Sequence, residues 1–387
     1  MTEAVAQGAA FAPDWVSPPG ETILDLIEER GWTQQALAER LGFSLKHVNQ
    51  LIKGKVSLSE NAAVRLGRVL GASVGFWLTR EAQYREHAAR LDAANQNADF
   101  VSWLERFPVK ELFELGVLTR RRMDARGKSA LVGELLAFFG VAGPEQWHAQ
   151  YGRMEVAFRR SREDQADVAA ISAWLRMGER EAERQEGPRY DEQRFVGALK
   201  RIRSLTVQAP KSFGPTLGSL LRDCGVTFVL VPALPRTHVS GVARWLGPHR
   251  PLIQLSLYGK TNDKFWFSFF HEAAHILLHS RQKTSVFLDD QGKHACASDE
   301  EKQANAWARD WLIHPEDAKR LKDVPRRHEA VCAFAQAVGV HPGIVVGRMQ
   351  HDGLLPTTWL NSLKVSYRIA RDGEEQPGGA EKRDSAA

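Results

Sequence analysis

The sequence contains no long apolar stretch and few cysteines. No apolar run approaches the roughly 20 residues that a bilayer-spanning helix needs, which predicts a chain without membrane spans. Residues 1–19 show no basic segment followed by an apolar core, so they do not resemble a signal peptide. The three cysteines, Cys224, Cys296 and Cys332, are widely spaced and predict reduced thiols instead of disulfides or a cysteine-type zinc site. Together these absences predict a cytoplasmic protein.

A strong excess of one charge is also missing. The net charge of +5 is mild and does not by itself indicate a nucleic-acid partner.

A length of 387 residues exceeds the usual size of a single core, so two or three domains are expected. The predicted segments are a flexible lead at 1–19, a helical domain at 20–87, a charged helical connecting region at 88–190, a domain of strands and helices at 191–367, and a disordered tail at 368–387.

An HExxH motif lies inside the apolar run 265–278. Helix positions four apart share a face, so His271 and His275 can bind one metal ion while Glu272 polarises a water molecule beside it. No glycine or proline interrupts residues 263–279, which favours a helix. The alternative is a buried structural helix with two hydrogen-bonded histidines. The glutamate argues against it, because a charge in an apolar helix is costly without a partner.

The third metal ligand is expected from a second helix. His279 continues the same row, but it lies about 12 Å along the axis from His271, too far for a shared ion. We therefore expect His279 to pack beside the site or to support a ligand. Glu301 is the preferred third ligand, with Asn305 four residues later placed to hydrogen-bond a ligand imidazole. Two neighbouring acids are competing candidates for the ligand, Asp299 and Glu300.

Three short apolar segments before the HExxH run predict strands, at 227–231, 240–246 and 252–257. A small sheet backed by the metal helix is an α+β arrangement, in a chain that is otherwise mainly α. The segment from Val239 to Trp245 is a candidate edge strand that pairs with an extended substrate backbone. The alternative is a strand that only covers the core.

Residues 22–70 break into short helices with clear capping signals. Thr33 caps a segment that Gly42 ends, and Ser44 caps a second segment that Gly54 ends. Two helices joined by a short glycine-containing turn form a helix-turn-helix, whose second helix is the expected recognition helix. Its predicted inward-facing residues are Leu45, Val48, Leu51 and Ile52.

The outward face of the predicted recognition helix is polar and basic. From Arg40 to Ser59 there are four basic residues and no acidic one, which places positive charge where DNA phosphates would lie. Amide side chains on this face can read adenine edges. A small helical protein-interaction module is the alternative. The predicted DNA-binding residues are Gln34, Ser44, Lys46, His47, Asn49, Gln50, Lys53 and Lys55.

Both ends of the chain resemble known families. The segment from Glu28 to Gly42, continued by residues 71–78, is similar to the Xre-type DNA-binding domain of HigA-like antitoxins. Residues 265–279, with HExxH and a trailing Leu-Leu-His, resemble the M78-type ImmA/IrrE metallo-endopeptidases, as does the Glu-x-x-Ala-Asn at 301–305. The resemblances imply an N-terminal helix-turn-helix bundle and a C-terminal α+β, zincin-like metallopeptidase domain.

The second resemblance also implies a ligand set and a catalytic base. Zinc would be held by His271, His275 and Glu301, and Glu272 would take the proton from the attacking water. Neither the residues nor the resemblance identifies the group that stabilises the oxyanion. The candidates for that role are Tyr258, His314 and His341.

Two segments depart from the family pattern. Where the family has Leu-Gly before the second histidine, this chain has Ala273 and Ala274, small helix formers that are not expected to disturb ligation. The family's Leu-Leu-Met-Pro appears at 312–315 as Leu-Ile-His-Pro.

These observations predict a DNA-binding regulatory zinc metalloprotease. The family resemblance further implies that its target is a protein, such as a transcriptional repressor or an antitoxin, in stress response, toxin–antitoxin or mobile-element control. The alternative is a non-catalytic transcriptional regulator or antitoxin whose metal domain senses a signal or binds a partner. The expected partners are double-stranded DNA and a protein substrate, without a membrane. A homodimer is an open alternative to a monomer, because such readers often bind two half-sites.

Overall fold

The computed structural model describes residues 17–151, 168–257, 259–279, 285–288 and 299–368. Most of the predicted lead and nearly all of the predicted tail lie outside these residues. So do Tyr258 and Cys296. Of the two described cysteines, Cys224 is buried and Cys332 half-buried, and both are free.

Helices make up most of the described chain, as predicted. Three short 3-10 turns accompany them, at Leu205–Val207, Leu321–Asp323 and Asn361–Leu363. The α-helices, in chain order, are α1 Pro19–Glu29, α2 Gln34–Leu41, α3 Leu45–Ile52, α4 Glu60–Leu70, α5 Val74–Asp99, α6 Val101–Leu104, α7 Val109–Glu114, α8 Ala125–Phe139, α9 144–151, α10 Val168–Glu183, α11 Glu192–Ser204, α12 Pro210–Asp223, α13 Asn262–Leu278, α14 Asp299–Leu312, α15 Pro315–Arg320, α16 His328–Val338 and α17 Pro342–His351.

The described residues form one small sheet, with the strand order β1-β3-β2-β4. The strands are β1 Thr227–Leu230, β2 Val239–Trp245, β3 Pro251–Leu255 and β4 Ser285–Leu288. The β1–β3 pair is parallel, whereas β2 is antiparallel to both β3 and β4. The first three strands confirm the sequence prediction. The edge-strand interpretation of β2 is wrong, because β4 covers the edge that would have received a substrate backbone.

No single described helix has the length and apolar composition of a membrane span. The pair α16 and α17 meets those two criteria only when taken together across a bend of 106°.

The described residues form two compact units. The first lies within Met1–Leu104 and Arg120–Leu135, and the second within Glu105–Thr119 and Leu136–Ala387. All three boundaries between these ranges fall inside the region 88–190 that we predicted as a connecting segment. The predicted domain limits themselves stay a prediction.

Short capped helices build the first unit around a core that includes Leu37, Leu66 and Trp77. Thr33 Oγ1 accepts a hydrogen bond from the Ala36 N–H at the start of α2. In the same way Ser44 Oγ accepts from the His47 N–H at the start of α3. Gly42, at φ 67°, ends α2 in the left-handed region where glycine carries no steric penalty. The predicted N-caps of both helices and the predicted end of α2 are therefore confirmed.

The recognition helix differs from the prediction at its first residue. Val48, Leu51 and Ile52 are buried, but Leu45 is 42% exposed. A helical side chain covers the turn that precedes its own Cα, and Leu45 has no preceding turn to cover because α3 begins there. The inward assignment of Leu45 is therefore wrong.

The second unit places helices on both faces of the sheet. Successive strand residues point to opposite faces, so Ile253 and Leu255 share a core with α13, while Gln254 points the other way. On that second face Gln254 Nε2 donates to the Trp174 carbonyl of α10 at 2.7 Å. Arg244 of β2 also points there and pairs with Glu179 of α10 at 2.6 Å. Part of the predicted connecting region thus packs on the sheet.

Candidate functional site

The HExxH motif lies on α13, between the sheet and α14. Its own apolar residues, among them Phe269 and Phe270, lie in the core of the second unit. His271, Glu272 and His275 are themselves buried, at 0%, 0% and 4% exposure. Burying three polar side chains on one turn is costly unless they find partners, so their contacts identify the site.

The two histidines converge with Glu301 of α14. His271 Nε2 and His275 Nε2 lie 3.0 Å apart. One carboxylate oxygen of Glu301 lies 3.2 Å from the first nitrogen, and the other lies 3.3 Å from the second. One ligand atom from each of the three residues falls within 4.8 Å of the others, the spacing of a metal-binding group. The predicted convergence is therefore present in the fold.

The far side of each imidazole is held by a polar group. His271 Nδ1 lies 3.0 Å from Asn305 Oδ1, the amide that the sequence placed beside a ligand imidazole. His275 Nδ1 lies 2.8 Å from His279 Nδ1. The second nitrogen of His279, Nε2, is 3.4 Å from Gln303 Oε1. A bond at Nδ1 fixes the ring and turns Nε2 inward, as metal-binding histidines require.

The protonation states of His271 and Glu301 are those that favour binding of a metal cation. Burial lowers the pKa of His271, and this effect is larger than the opposing effects of its hydrogen bond to Glu301 and of the Glu301 charge. The imidazole ring is therefore neutral. Burial alone would raise the pKa of Glu301, but hydrogen bonds from both imidazoles outweigh burial and bring the pKa to about 2. Neutral imidazole and ionised carboxylate are the forms that bind divalent metals.

Glu272 is the most unusual group in the cluster. Neither carboxylate oxygen has a hydrogen-bond partner among the described residues, although both are buried. Burial raises its pKa well above the ordinary value, the negative charge of Glu301 raises it further, and the nearby Ala243 amide only partly opposes this. A cation held by the adjacent cluster would compensate such a group, so the buried carboxylate fits a metal ion at this position.

The sheet approaches Glu272 through a glycine that sequence reasoning did not select. A Cβ added at Gly241 of β2 would lie 2.8 Å from Glu272 Oε1 and 2.6 Å from Leu255 Cδ2. Both distances are shorter than real contacts allow, so a larger residue at position 241 would displace the Glu272 carboxylate or the Leu255 side chain from its present place. A glycine inside an apolar strand is the signal that could have identified this close approach.

The competing acid Asp299 is not brought into the cluster. Its side chain is 90% exposed, and it pairs with Lys302 at 3.1 Å on the surface of α14. Glu300 is half-buried and, like Asp299, is absent from the metal-spaced group found among the described residues.

The oxyanion candidates have different surroundings. His341 caps α17, where its Nδ1 accepts from the Gly343 N–H at 3.0 Å and lies 2.8 Å from Asn262 Nδ2. His314 precedes the first turn of α15 and makes no side-chain capping bond. Tyr258 lies outside the described residues. The oxyanion assignment stays a prediction.

In the first unit, the eight predicted DNA-binding residues lie on the surface or are half-buried. Ser44 also caps α3, as described above. Asn49 Nδ2 donates to the Leu45 carbonyl at 3.1 Å, so part of its amide is used within the helix. Their individual roles toward DNA stay predictions.

The fold and these groups define a DNA-binding regulator joined to a metallopeptidase-type domain. Residues 23–77 match the helix-turn-helix family model, and residues 233–350 match the IrrE N-terminal-like domain of the M78 peptidases. The chain therefore carries an Xre-type helix-turn-helix and an ImmA/IrrE-like domain, which confirms the predicted fusion. No curated protein matches the chain.

Proposed function

We propose that this protein is a DNA-binding regulatory zinc metallo-endopeptidase that cleaves a transcriptional repressor or an antitoxin. The observation that supports the proposal best is the convergence of His271, His275 and Glu301 beside the buried carboxylate of Glu272. Two imidazoles and one carboxylate are the protein ligands of many catalytic zinc sites, which keep a further position for water or substrate.

A bound zinc ion would supply Lewis acidity, which activates water as a nucleophile and polarises a peptide carbonyl. Proton transfer and positioning would be carried out by residues of the protein. Glu272, close to the ligand triad, would take the proton from the attacking water and deliver it to the leaving amine. Gly241 keeps the space that the carboxylate occupies. Asn305 and His279 would hold the ligand rings in one orientation.

The setting we propose is the cytoplasm, where the DNA-binding unit would bring the protease domain to regulated genes. Relief of repression in a stress response, in toxin–antitoxin control or in mobile-element induction would follow from cleavage of the target. Two copies of the protein on two half-sites would suit a helix-turn-helix reader.

One experiment tests the proposed activity directly. The purified full chain is analysed for bound metal and incubated with repressors, antitoxins and toxins encoded beside its gene, with and without a chelator. We expect about one zinc ion per chain and chelator-sensitive fragments of one target, located by mass mapping. Bound zinc without cleavage of any neighbouring protein would instead support the non-catalytic regulator. A chain that binds no metal would reject both.

The residues that contact the Nδ1 atoms of the two imidazoles, Asn305 and His279, give a prediction about zinc affinity. His279→Ala and Asn305→Ala should each weaken zinc binding by about 10- to 100-fold, because the ring that each supports loses its fixed orientation. Competition with a chromophoric chelator measures the affinity. Leu278→Ala is the matched control, since Leu278 is an exposed neighbour on the same helix. Equal zinc affinity in all four proteins would show that the ring contacts are incidental.

The DNA-binding face gives a second prediction. We propose that Asn49 and Gln50 read base edges and that Lys53 contacts phosphate. Asn49→Ala or Gln50→Ala should weaken sequence-specific binding by about 1–3 kcal/mol and leave non-specific binding nearly unchanged. Lys53→Ala should weaken binding to all duplexes similarly and flatten the salt dependence. Salt titrations on specific and scrambled duplexes distinguish the two behaviours, and equal loss on every sequence in all three variants would reject base reading.

A further inference from the structure

The first residue of the recognition helix is an exposed leucine in a polar and basic surface. Leu45 is 42% exposed, whereas Val48, Leu51 and Ile52 on the same helix are buried. Its neighbours Ser44 and Lys46 are exposed. Leu45 therefore contributes little to the core of its own unit.

A single exposed leucine is ordinary on a protein surface and needs no explanation. The position of Leu45 is what makes it informative. It is the N1 residue of α3, directly after the capping Ser44. The N-terminal residues of a recognition helix are those that contact base edges when the helix enters the major groove. An apolar side chain at this point would face the bases.

Few groups in the major groove can make a favourable contact with a leucine side chain. Base edges present hydrogen-bond donors and acceptors, which leucine cannot satisfy, and one apolar group, the C5 methyl of thymine. A polar base edge under Leu45 would lose water without gaining a hydrogen bond. A thymine methyl would instead be removed from water together with the leucine side chain.

The next residue on the same helix face does not cover the leucine. Asn49, one turn later, donates its Nδ2 to the Leu45 carbonyl at 3.1 Å. This bond holds the Asn49 amide against the backbone of the first turn, while the Leu45 side chain stays accessible. The N-terminal half of α3 thus presents an apolar side chain and, one turn later, a polar one.

We propose that Leu45 is a specificity-determining residue that recognises a thymine through its C5 methyl group. This inference rests on the proposed function of the N-terminal unit as a sequence reader. Leu45 would give the first turn of α3 a preference for thymine that hydrogen-bonding residues on the same helix cannot supply.

The test uses the full chain and a duplex that the protein itself selects from a randomised library. Each thymine of that duplex is then replaced singly by deoxyuridine, which removes only the methyl group. We expect one replacement per half-site to weaken binding of the native protein by about three- to fivefold, the effect of one apolar carbon leaving a contact. The same replacement should not weaken binding of Leu45→Ala, because the partner of the methyl group is already missing.

Val74→Ala is the matched control, since Val74 is an exposed apolar residue in the first turn of a different helix of the same unit. It should respond to deoxyuridine as the native protein does. Circular dichroism and thermal unfolding verify that Leu45→Ala keeps its fold.

Two outcomes would overturn the inference alone: a selected duplex whose binding tolerates every deoxyuridine, or an equal methyl effect in native protein and Leu45→Ala. A library that yields no enriched duplex would reject sequence reading itself, and the inference with it.

Discussion

Glu272→Gln is expected to lower the rate of target cleavage by about 10²- to 10⁴-fold, the contribution typical of a positioned acid–base group. The physical reason is that glutamine preserves the shape of the side chain but can neither accept nor return a proton at neutral pH. Because Glu272 is not among the three converging ligand residues, zinc binding should remain close to that of the native protein.

Cleavage and bound zinc must be measured on the same preparations for this result to be informative. Fragment formation from the identified target gives the rate, and elemental analysis gives the zinc content. Glu316→Gln serves as the control, because Glu316 is an exposed acid paired with Lys319. A Glu272→Gln variant that still cleaves would reject the catalytic role, and one that has lost its zinc would mean that Glu272 binds the ion.

Local sequence patterns predicted the parts of the site that depend on one helix at a time. The i, i+4 periodicity of α13 placed His271 and His275 on one face, and the same periodicity in α14 paired Glu301 with Asn305. The capping residues Thr33 and Ser44 fixed the starts of α2 and α3 for the same reason, since a cap is a contact within a few residues.

The parts that sequence patterns missed depend on contacts between distant segments. β4 follows the metal helix in the chain, yet it pairs with β2 and closes the edge that the sequence pattern left open. Gly241 faces Glu272 across the boundary between sheet and helix, which no local pattern shows. Leu45 was missed for a local reason: it fits the apolar periodicity of α3, but it has no preceding turn to cover because the helix begins there.

Removal of the carboxylate at residue 301 is expected to have the largest effect on the metal. Glu301→Ala should weaken zinc binding by about 100- to 1,000-fold, roughly one ligand's share of the binding free energy of a four-coordinate zinc site. The side chain that replaces it has no oxygen to offer. Asp299, one of the two other acids weighed for this role, is on the surface and paired with Lys302, so it cannot substitute.

Chelator competition gives the affinity, and the rise in unfolding temperature on adding zinc gives an independent measure, because binding to the folded state stabilises it by mass action. Asp299→Ala is the matched control and should bind zinc as the native protein does. The loss should also be larger in Glu301→Ala than in His279→Ala or Asn305→Ala, since a ligand contributes a bond to the ion, whereas a supporting residue only orients one. The carboxylate ligand has been assigned to the wrong residue if His279→Ala or Asn305→Ala weakens zinc binding as much as Glu301→Ala does. The same conclusion follows if Asp299→Ala weakens zinc binding and Glu301→Ala does not.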